Sequence, residues 1–272
     1  MAKNLKEYEQ GYFRPKGWNA FILFLVKCGF GRGSFKFFLA TCWRNKNQDL
    51  PVDLNYHDLK LRLFPNNNSI ESKILFSSKV REKVELKYMK SYLKNGGIFV
   101  DIGANIGYYS LMAAKFGAKK VVAAEPNPTI YSRFLKLIEL NNFKKIIHAY
   151  KTGIGKNKDT LELTICPHDM GSSSVCNSKI VGHKVNIPIA PLSDLMDKEN
   201  IDKIDVLKID IEGMEDKALF PYLQNIQKEN FPKMIIIEDN QDIWEKNILE
   251  WMLSNGYQIK DKTRGNYILV LT

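Results

Sequence analysis

The chain of 272 residues lacks several features that mark common protein classes. Its four cysteines are scattered, without metal-ligand spacing or the density of a disulfide framework, so we predict no metal and a reducing cytoplasm. No apolar run approaches the ~20 residues of a transmembrane helix. The apolar stretch near the N-terminus begins late and is not followed by a small-residue cleavage site, which disfavours a signal peptide. These absences favour a globular protein with one large domain and an extension.

Acidic residues are scarce in the first third of the chain. Residues 1–98 carry 18 lysines and arginines against 8 acids, whereas residues 99–272 carry 22 of each. The whole net charge of +10 therefore belongs to the N-terminal part. A basic region of this kind suits anionic lipid, nucleic acid or an anionic glycan, and it is equally typical of a solvated surface.

Glycines interrupt the apolar pattern of the N-terminal 50 residues, which predicts two short amphipathic helices around a bend. Two interpretations stay open: the helices lie on a membrane surface, or they pack on the main domain or on a second copy of the chain. The alternation in residues 51–64 predicts a β-hairpin, and residues 69–94 read as one helix capped by Ser69. We predict a basic N-terminal extension over 1–95 and a second domain over 96–272.

The stretch FVDIGANIGYYS at 99–110 is the most informative part of the chain. It reads as a strand ending near Asp101, a turn with Gly103 and Gly107, and the start of a helix. A second apolar strand ends at Glu125, 24 residues after Asp101, which suits one strand–helix–strand unit. An acid at the end of that second strand is the usual partner of a ribose diol.

The charge before the glycine turn selects the cofactor. Asp101 would repel the pyrophosphate of a dinucleotide, but it would attract the cationic sulfonium and ammonium end of S-adenosylmethionine. The turn also differs from GxGxxG, and the helix N-terminus that follows can hold the cofactor's carboxylate. The predicted cofactor residues are Asp101, Gly103, Ala104, Asn105, Gly107, Glu125, Asn127 and Asp210. For Asn127, contact with the adenine edge and capping of the next helix are equally open.

From residue 98 onward strands and helices alternate, which predicts a mostly parallel sheet covered on both faces. The predicted strands are 98–101, 121–125, 146–150, 205–209, 233–238, 257–260 and 267–271, and the helices are 107–116, 129–140, 213–224 and 242–254. Only six residues join the last two strands, so they must be antiparallel. An insertion at 155–193 holds two further strands, Asp159–Ile165 and Lys184–Ile189. The result is a seven-stranded α/β sheet ending in an antiparallel hairpin, a layout typical of Rossmann-like methyltransferases.

Three blocks resemble the FkbM family of S-adenosylmethionine-dependent methyltransferases: FVDIGANIGYYS at 99–110, AAEPNP at 123–128 and LKIDIEGMED at 207–216. The resemblance extends from about residue 52 to the C-terminus. It implies a Rossmann-like methyltransferase fold and O-methylation of hydroxyls on sugars, glycolipids or polyketide-type natural products. The third block is the most specific to the family.

Carboxylates at the ends of later strands are candidates for the chemistry. An alcohol acceptor must lose a proton, and Asp210 or Glu212 is placed to act as general base. The alternatives are a cofactor contact for Asp210 and a favourable helix-start charge for Glu212. Lys208 shares their strand face, and Glu238 ends another strand, so we predict that both contact substrate, although Glu238 could equally face water. His168 and His183, near the insertion, are weaker candidates for the base.

We therefore predict a cytoplasmic O-methyltransferase acting on a glycan, glycolipid or glycosylated metabolite. Peripheral contact with a membrane stays open. The basic N-terminal part suggests one alternative, an RNA or other nucleic-acid methyltransferase, which residues 207–213 disfavour because they lack an Asn/Asp-Pro-Pro-aromatic motif. A further alternative is a non-catalytic cofactor-binding or membrane-associated protein, which the intact glycine turn disfavours. A homo-oligomer stays open.

Overall fold

The computed structural model describes residues 8–31, 33–47, 50–77, 82–167, 169–170 and 182–272. The strands in chain order are β1 (Val52–Tyr56), β2 (Leu59–Leu63), β3 (Ile98–Ile102), β4 (Lys120–Ala124), β5 (Ile147–Tyr150), β6 (Gly153–Ile154), β7 (Asp159–Ile165), β8 (His183–Ala190), β9 (Val206–Ile209), β10 (Met234–Glu238), β11 (Tyr257–Lys262) and β12 (Asn266–Leu271). The helices are α1 (Gly17–Leu25), α2 (Gly33–Asn47), α3 (Ser69–Leu75), α4 (Lys83–Leu93), α5 (Tyr108–Lys115), α6 (Pro128–Leu140), α7 (Leu192–Glu199), α8 (Glu215–Asn225) and α9 (Ile248–Ser254). A π-helical turn at Val26–Phe30 follows α1.

The central sheet has seven strands in the order β11-β12-β10-β9-β3-β4-β5. Pairs β10–β9, β9–β3, β3–β4 and β4–β5 are parallel, while β12 is antiparallel to both of its neighbours. This confirms the predicted sheet and its closing hairpin. The chain moves outward in one direction from β3 and in the other from β9, so the strand order reverses between them. In open α/β sheets, ligands bind beyond the carboxyl ends of the strands at such a point.

Helices cover the two faces of this sheet, because alternate strand residues point to opposite sides. Phe99, Val121 and Ile236 belong to a core on one face, where α4, α5 and α6 pack. Val100, Leu207 and Ile235 belong to the core on the other face, under α7, α8 and α9. Packed helices therefore lie on both sides of the sheet's carboxyl edge.

Helices α1 and α2 each pack one side against the first of these two cores. Ile22, Val26, Leu39 and Trp43 are buried within it. An ion pair fastens the preceding residues: Arg62 Nε lies 2.8 Å from Asp53 Oδ1, and Asp53 Oδ2 accepts the backbone N–H of Gly11 at 2.8 Å. In the ranges that the structure describes, no helix has both the length and the apolar character needed to cross a bilayer. The division of the chain at residue 95 stays a prediction.

The predicted single helix over 69–94 is wrong. Helix α3 stops at Leu75, where Phe76 leaves helical geometry and turns inward against Trp43, with ring centroids 6.0 Å apart. A separate helix starts at Lys83, and residues 78–81 lie outside the described ranges. The predicted cap is also wrong: Asn68, not Ser69, caps α3, because its Oδ1 accepts the N–H of Glu71 at 3.0 Å.

One later helix is also shorter than predicted. The helix predicted over 242–254 begins only at Ile248, because Asp216 Oδ2 accepts the N–H groups of residues 245 and 246 and holds them out of the helix. Helix α7, at the end of the insertion, was not predicted. The β1–β2 hairpin is confirmed, and the two insertion strands pair in a three-stranded sheet of order β6-β8-β7. The polar residues 171–174 of the insertion lie outside the described ranges.

Candidate active site

The turn after β3 is shaped by two glycines with left-handed backbone. Gly103 has φ +75°, and a Cβ there would lie 1.9 Å from the carbonyl oxygen of Asp210. Gly107 has φ +77°, and its Cβ would lie 1.9 Å from the ring of Phe134. Both positions therefore require glycine for the fold itself, since side chains rarely adopt this backbone and neither has room for one.

Glu125, at the end of β4, closes this turn. Its two oxygens accept the backbone N–H groups of Asn105 and Asn127, each at 2.8 Å. Asn105 has a positive φ of +52° and points its N–H at this carboxylate. Burial raises the pKa of Glu125 to about 7, although the two backbone hydrogen bonds oppose that rise. A carboxylate has about four lone-pair sites, so two of them stay available to a ligand.

A buried lysine lies between two aspartates at the ends of β3 and β9. Lys208 Nζ is 3.1 Å from Asp210 Oδ2 and 4.0 Å from Asp101 Oδ1, and it lies 5.1 Å from the ring centroid of Tyr109. Burial lowers the pKa of Lys208, but the charges of Asp210 and Asp101 outweigh it and the net shift is upward. The three charges sum to a negative site.

Asp101 lies deeper than the sequence suggested. It is fully buried, and its Oδ2 accepts the hydroxyl of Ser110 at 2.6 Å. Its Oδ1 accepts no hydrogen bond from the described residues, and burial raises the pKa of the carboxyl. Burying a carboxylate oxygen without a hydrogen-bond donor costs free energy, so such an atom in a folded protein requires an explanation.

Two further carboxylates adjoin Asp210. Glu238, at the end of β10, accepts a hydrogen bond from Asn240 Nδ2 at 2.6 Å. Burial and the neighbouring Asp210 raise the pKa of Glu238 to about 8, and a hydrogen bond between the two carboxyl groups adds to this. Partial burial and the charge of Asp210 also raise the pKa of Glu212, whose backbone has φ +57°. Glu212 and Glu238 therefore both hold a proton more readily than an ordinary carboxyl group does.

Glu215 organises the loop that carries these acids, and the sequence did not single it out. It is fully buried, and its Oε1 accepts the N–H groups of Ile211 at 2.9 Å and Gly213 at 3.2 Å. Its Oε2 accepts the indole N–H of Trp244 at 2.8 Å. The loop N–H groups therefore bond to Glu215, and α8 begins only at that residue, later than predicted. The available signal was an acid in the first turn of a helix.

These elements surround a cavity of about 1350 Å³ at the carboxyl edge of the sheet. Eight predicted site residues line it: Gly103, Ala104, Asn105, Glu125, Lys208, Asp210, Glu212 and Glu238. Asp101, Gly107 and Asn127 do not line it. The cavity is also lined by residues that the sequence did not indicate, from α3, the insertion sheet, α8 and the β11–β12 turn; they include Ile70, Thr152, Leu163, Ile187, Lys217 and Asn266.

Asn127 caps the following helix. Its Oδ1 accepts the N–H groups of Thr129 at 3.0 Å and Ile130 at 3.3 Å, and its Nδ2 donates to the carbonyl of Met170 at 3.1 Å. Of the two histidines considered as bases, His183 is exposed in β8 and does not line the cavity. His168 lies outside the described residues.

The sequence profile of the methyltransferase FkbM domain matches residues 101–259. That match spans more than half of the chain and includes every predicted site residue. The chain belongs to the FkbM methyltransferase family.

The individual relatives share low sequence identity with this chain. "Methyltransferase 1" of Beauveria bassiana is 30% identical over 136 residues, which cover 43% of this chain and 54% of the relative. "Methyltransferase sdnD" of Sordaria araneosa is 28% identical over 157 residues, covering 47% and 61%. The chain thus spans between half and two thirds of these relatives. A solved FkbM methyltransferase from Methylobacillus flagellatus superposes with a TM-score of 0.45 at 19% identity, covering 97% of this chain and 63% of that one.

Proposed function

We propose that the protein transfers a methyl group from S-adenosylmethionine to a hydroxyl of a sugar, glycolipid or glycosylated metabolite. The observation that carries this proposal is the cluster of acids around one lysine at the strand ends of an FkbM-family fold. When bound, the cofactor supplies an electrophilic methyl carbon attached to a cationic sulfur. The chain's own residues must then bind that cation, align the acceptor and remove its proton.

The residues at the cavity suit the cofactor. Glu125 has lone pairs free for the two ribose hydroxyls after accepting its two backbone bonds. The net negative charge of Asp101, Lys208 and Asp210 favours a cationic ligand end. The Oδ1 atom of Asp101, which accepts no hydrogen bond from the described residues, adds negative charge just behind the cavity wall. A pyrophosphate would meet repulsion from the same group of acids.

The acids of β9 and β10 are suited to removing the acceptor's proton. Lys208 Nζ pairs with Asp210 Oδ2 at 3.1 Å, and the pKa of Glu238, raised to about 8, makes Glu238 a stronger base than an ordinary carboxylate once it is ionised. In the proposed step the acceptor's O–H bond breaks and its proton passes to Glu238. The acceptor oxygen would then bond to the methyl carbon as that carbon's bond to sulfur breaks, and S-adenosylhomocysteine would leave. Once Glu238 carries the proton, it can donate a hydrogen bond to the neighbouring Asp210. Glu212 lines the same wall of the cavity, but it is exposed to solvent, so we do not assign it the role of base.

The size and lining of the cavity support a hydroxyl-rich acceptor. Single small-molecule sites commonly occupy about 300–1,000 Å³, so a cavity of about 1350 Å³ has room for the cofactor and an acceptor together. Thr152, Asn157 and Asn266 offer hydrogen-bonding groups around it. The acids Asp210, Glu212 and Glu238 disfavour the phosphates of RNA.

Methyl transfer from labelled S-adenosylmethionine tests this proposal. The purified chain is incubated with separate glycoside, polysaccharide, lipid and RNA fractions, and we expect label in a carbohydrate-containing fraction. Glu238→Gln and Asp210→Asn should lower the rate by about 10²–10⁴-fold, the usual contribution of general-base catalysis. Glu212→Gln should keep most of the activity.

Asp239→Asn is the matched control, because it removes the next carboxylate along the chain. That side chain pairs with Lys262 at 3.0 Å and does not line the cavity. The control should therefore retain the parent rate. Label confined to RNA would refute the carbohydrate acceptor, and equal rates for Glu238→Gln and Asp239→Asn would refute the role of Glu238.

A further inference from the structure

Seven aromatic side chains between residues 18 and 38 are exposed to solvent. We call them the aromatic face, and their exposed fractions run from 44% to 74%: Trp18, Phe21, Phe24, Phe30, Phe35, Phe37 and Phe38. Several contact one another, for example Phe35 and Phe38 with centroids 5.6 Å apart. Large apolar side chains exposed together in this way mark an interaction site.

Helix α1 shows why this face calls for a partner. Its inner side buries Ile22 completely, whereas its outer side exposes Trp18, Phe21 and Phe24. A helix that is apolar on both sides is normally covered on both sides. The protein's core covers only one.

The charge around the aromatic face identifies what covers the other side. Residues 10–48 contain seven lysines and arginines and no aspartate or glutamate. Lys27, Arg44 and Lys46 are exposed, and Lys46 Nζ lies 5.5 Å from the ring centroid of Trp18. Apposing two copies through this face would bring basic groups against basic groups with no acid from this segment to pair them. An anionic bilayer provides apolar depth for the rings and negative charge for the lysines.

We infer that the aromatic face docks the protein on an anionic lipid bilayer, with the rings in the headgroup boundary and the lysines against lipid phosphates. Helix α2, which carries part of the aromatic face, also contacts the segment that forms one wall of the cavity. Trp43 of α2 packs on Phe76, at the end of α3, and Ser69, Ile70 and Lys73 of α3 line the cavity. Docking would thus bring the α3 side of the cavity near the membrane. The inference does not depend on whether the acceptor is a lipid.

Vesicle co-sedimentation of the full chain tests the inference. We expect binding to vesicles of phosphatidylcholine mixed with phosphatidylglycerol, weakened by salt, and little binding to phosphatidylcholine alone. The double variant Lys27→Gln/Lys46→Gln should lower the partition coefficient by about 25-fold, from about fivefold for each lysine near the surface. Lys151→Gln/Lys260→Gln removes two exposed lysines elsewhere and should leave it unchanged.

The aromatic contribution has its own matched pair. Phe24→Ser/Phe37→Ser changes residues that are 59% and 74% exposed, so the fold should be retained, and binding should fall at least tenfold. Leu253→Ser/Ile259→Ser removes exposed apolar groups outside the face, which are 42% and 43% exposed, and should bind as the parent does. Equal binding to neutral and anionic vesicles, or no binding to either, would overturn the inference. So would a concentration-dependent dimer in sedimentation analysis that only the Phe24/Phe37 variant abolishes.

Discussion

Replacing Gly103 with alanine probes the turn on which the site is built. The new Cβ would lie 1.9 Å from the carbonyl oxygen of Asp210, and Cβ contacts under 3.0 Å are essentially never observed. That oxygen is backbone, so relief requires the ends of β3 and β9 to move apart. The left-handed φ adds about 1–2 kcal/mol, and overpacking adds about 1–3 kcal/mol. We expect Gly103→Ala to lower the free energy of unfolding by about 2–5 kcal/mol.

Gly17→Ala separates these two effects. Gly17 also has a positive φ, +52°, but a Cβ there would meet nothing within 4 Å. This control should lose only the backbone cost of about 1–2 kcal/mol. Urea titration of both variants measures the difference, with fluorescence as the probe. Equal losses in the two variants would refute the claim that Gly103 is required by its contact with Asp210.

Three further predictions concern charges at the site. Lys208→Met leaves Asp101 and Asp210 without their cation, so the free energy of unfolding should fall by about 3–5 kcal/mol in urea titration; a loss below about 1 kcal/mol would contradict the buried pairing. Because the pKa of Glu125 is about 7, and because we propose that its ionised form accepts the ribose hydroxyls, calorimetric affinity for S-adenosylmethionine should decrease as the pH falls below 7, and Glu125→Gln should remove that dependence. Because the pKa of Glu238 is about 8, the methyl-transfer rate should rise with pH through that value, and a flat profile between pH 7 and 9 in the parent would contradict its role as base.

The sequence predicted the sheet and the glycine turn well because both depend on neighbouring residues. A strand, a glycine turn and a helix follow one another within 99–110, and Glu125 is the end of the next strand. The closing hairpin followed from the length of its connection alone. Such signals need no knowledge of distant contacts.

The errors concern contacts between residues far apart in the chain. Helix α3 is held by Glu71, which pairs with Arg133 at 2.7 Å, and by the Asn68 cap, whose amide donates to Asn105 Oδ1 at 3.1 Å. Neither partner can be identified from the local pattern at 68–76. The depth of Asp101 behind Lys208 likewise depends on two strands that are adjacent only in the folded sheet. Buried polar pairs of this kind carry no periodic signal.

Methyl-donor binding tests the central claim most directly. Isothermal titration calorimetry of the purified, ligand-free chain should show saturable binding of S-adenosylmethionine at one site, with competition by S-adenosylhomocysteine. In Glu125→Gln the affinity should fall at least about tenfold, since a hydrogen bond to a charged group contributes about 1.5–3 kcal/mol. Heat on titration with NAD, and none with S-adenosylmethionine, would contradict the account.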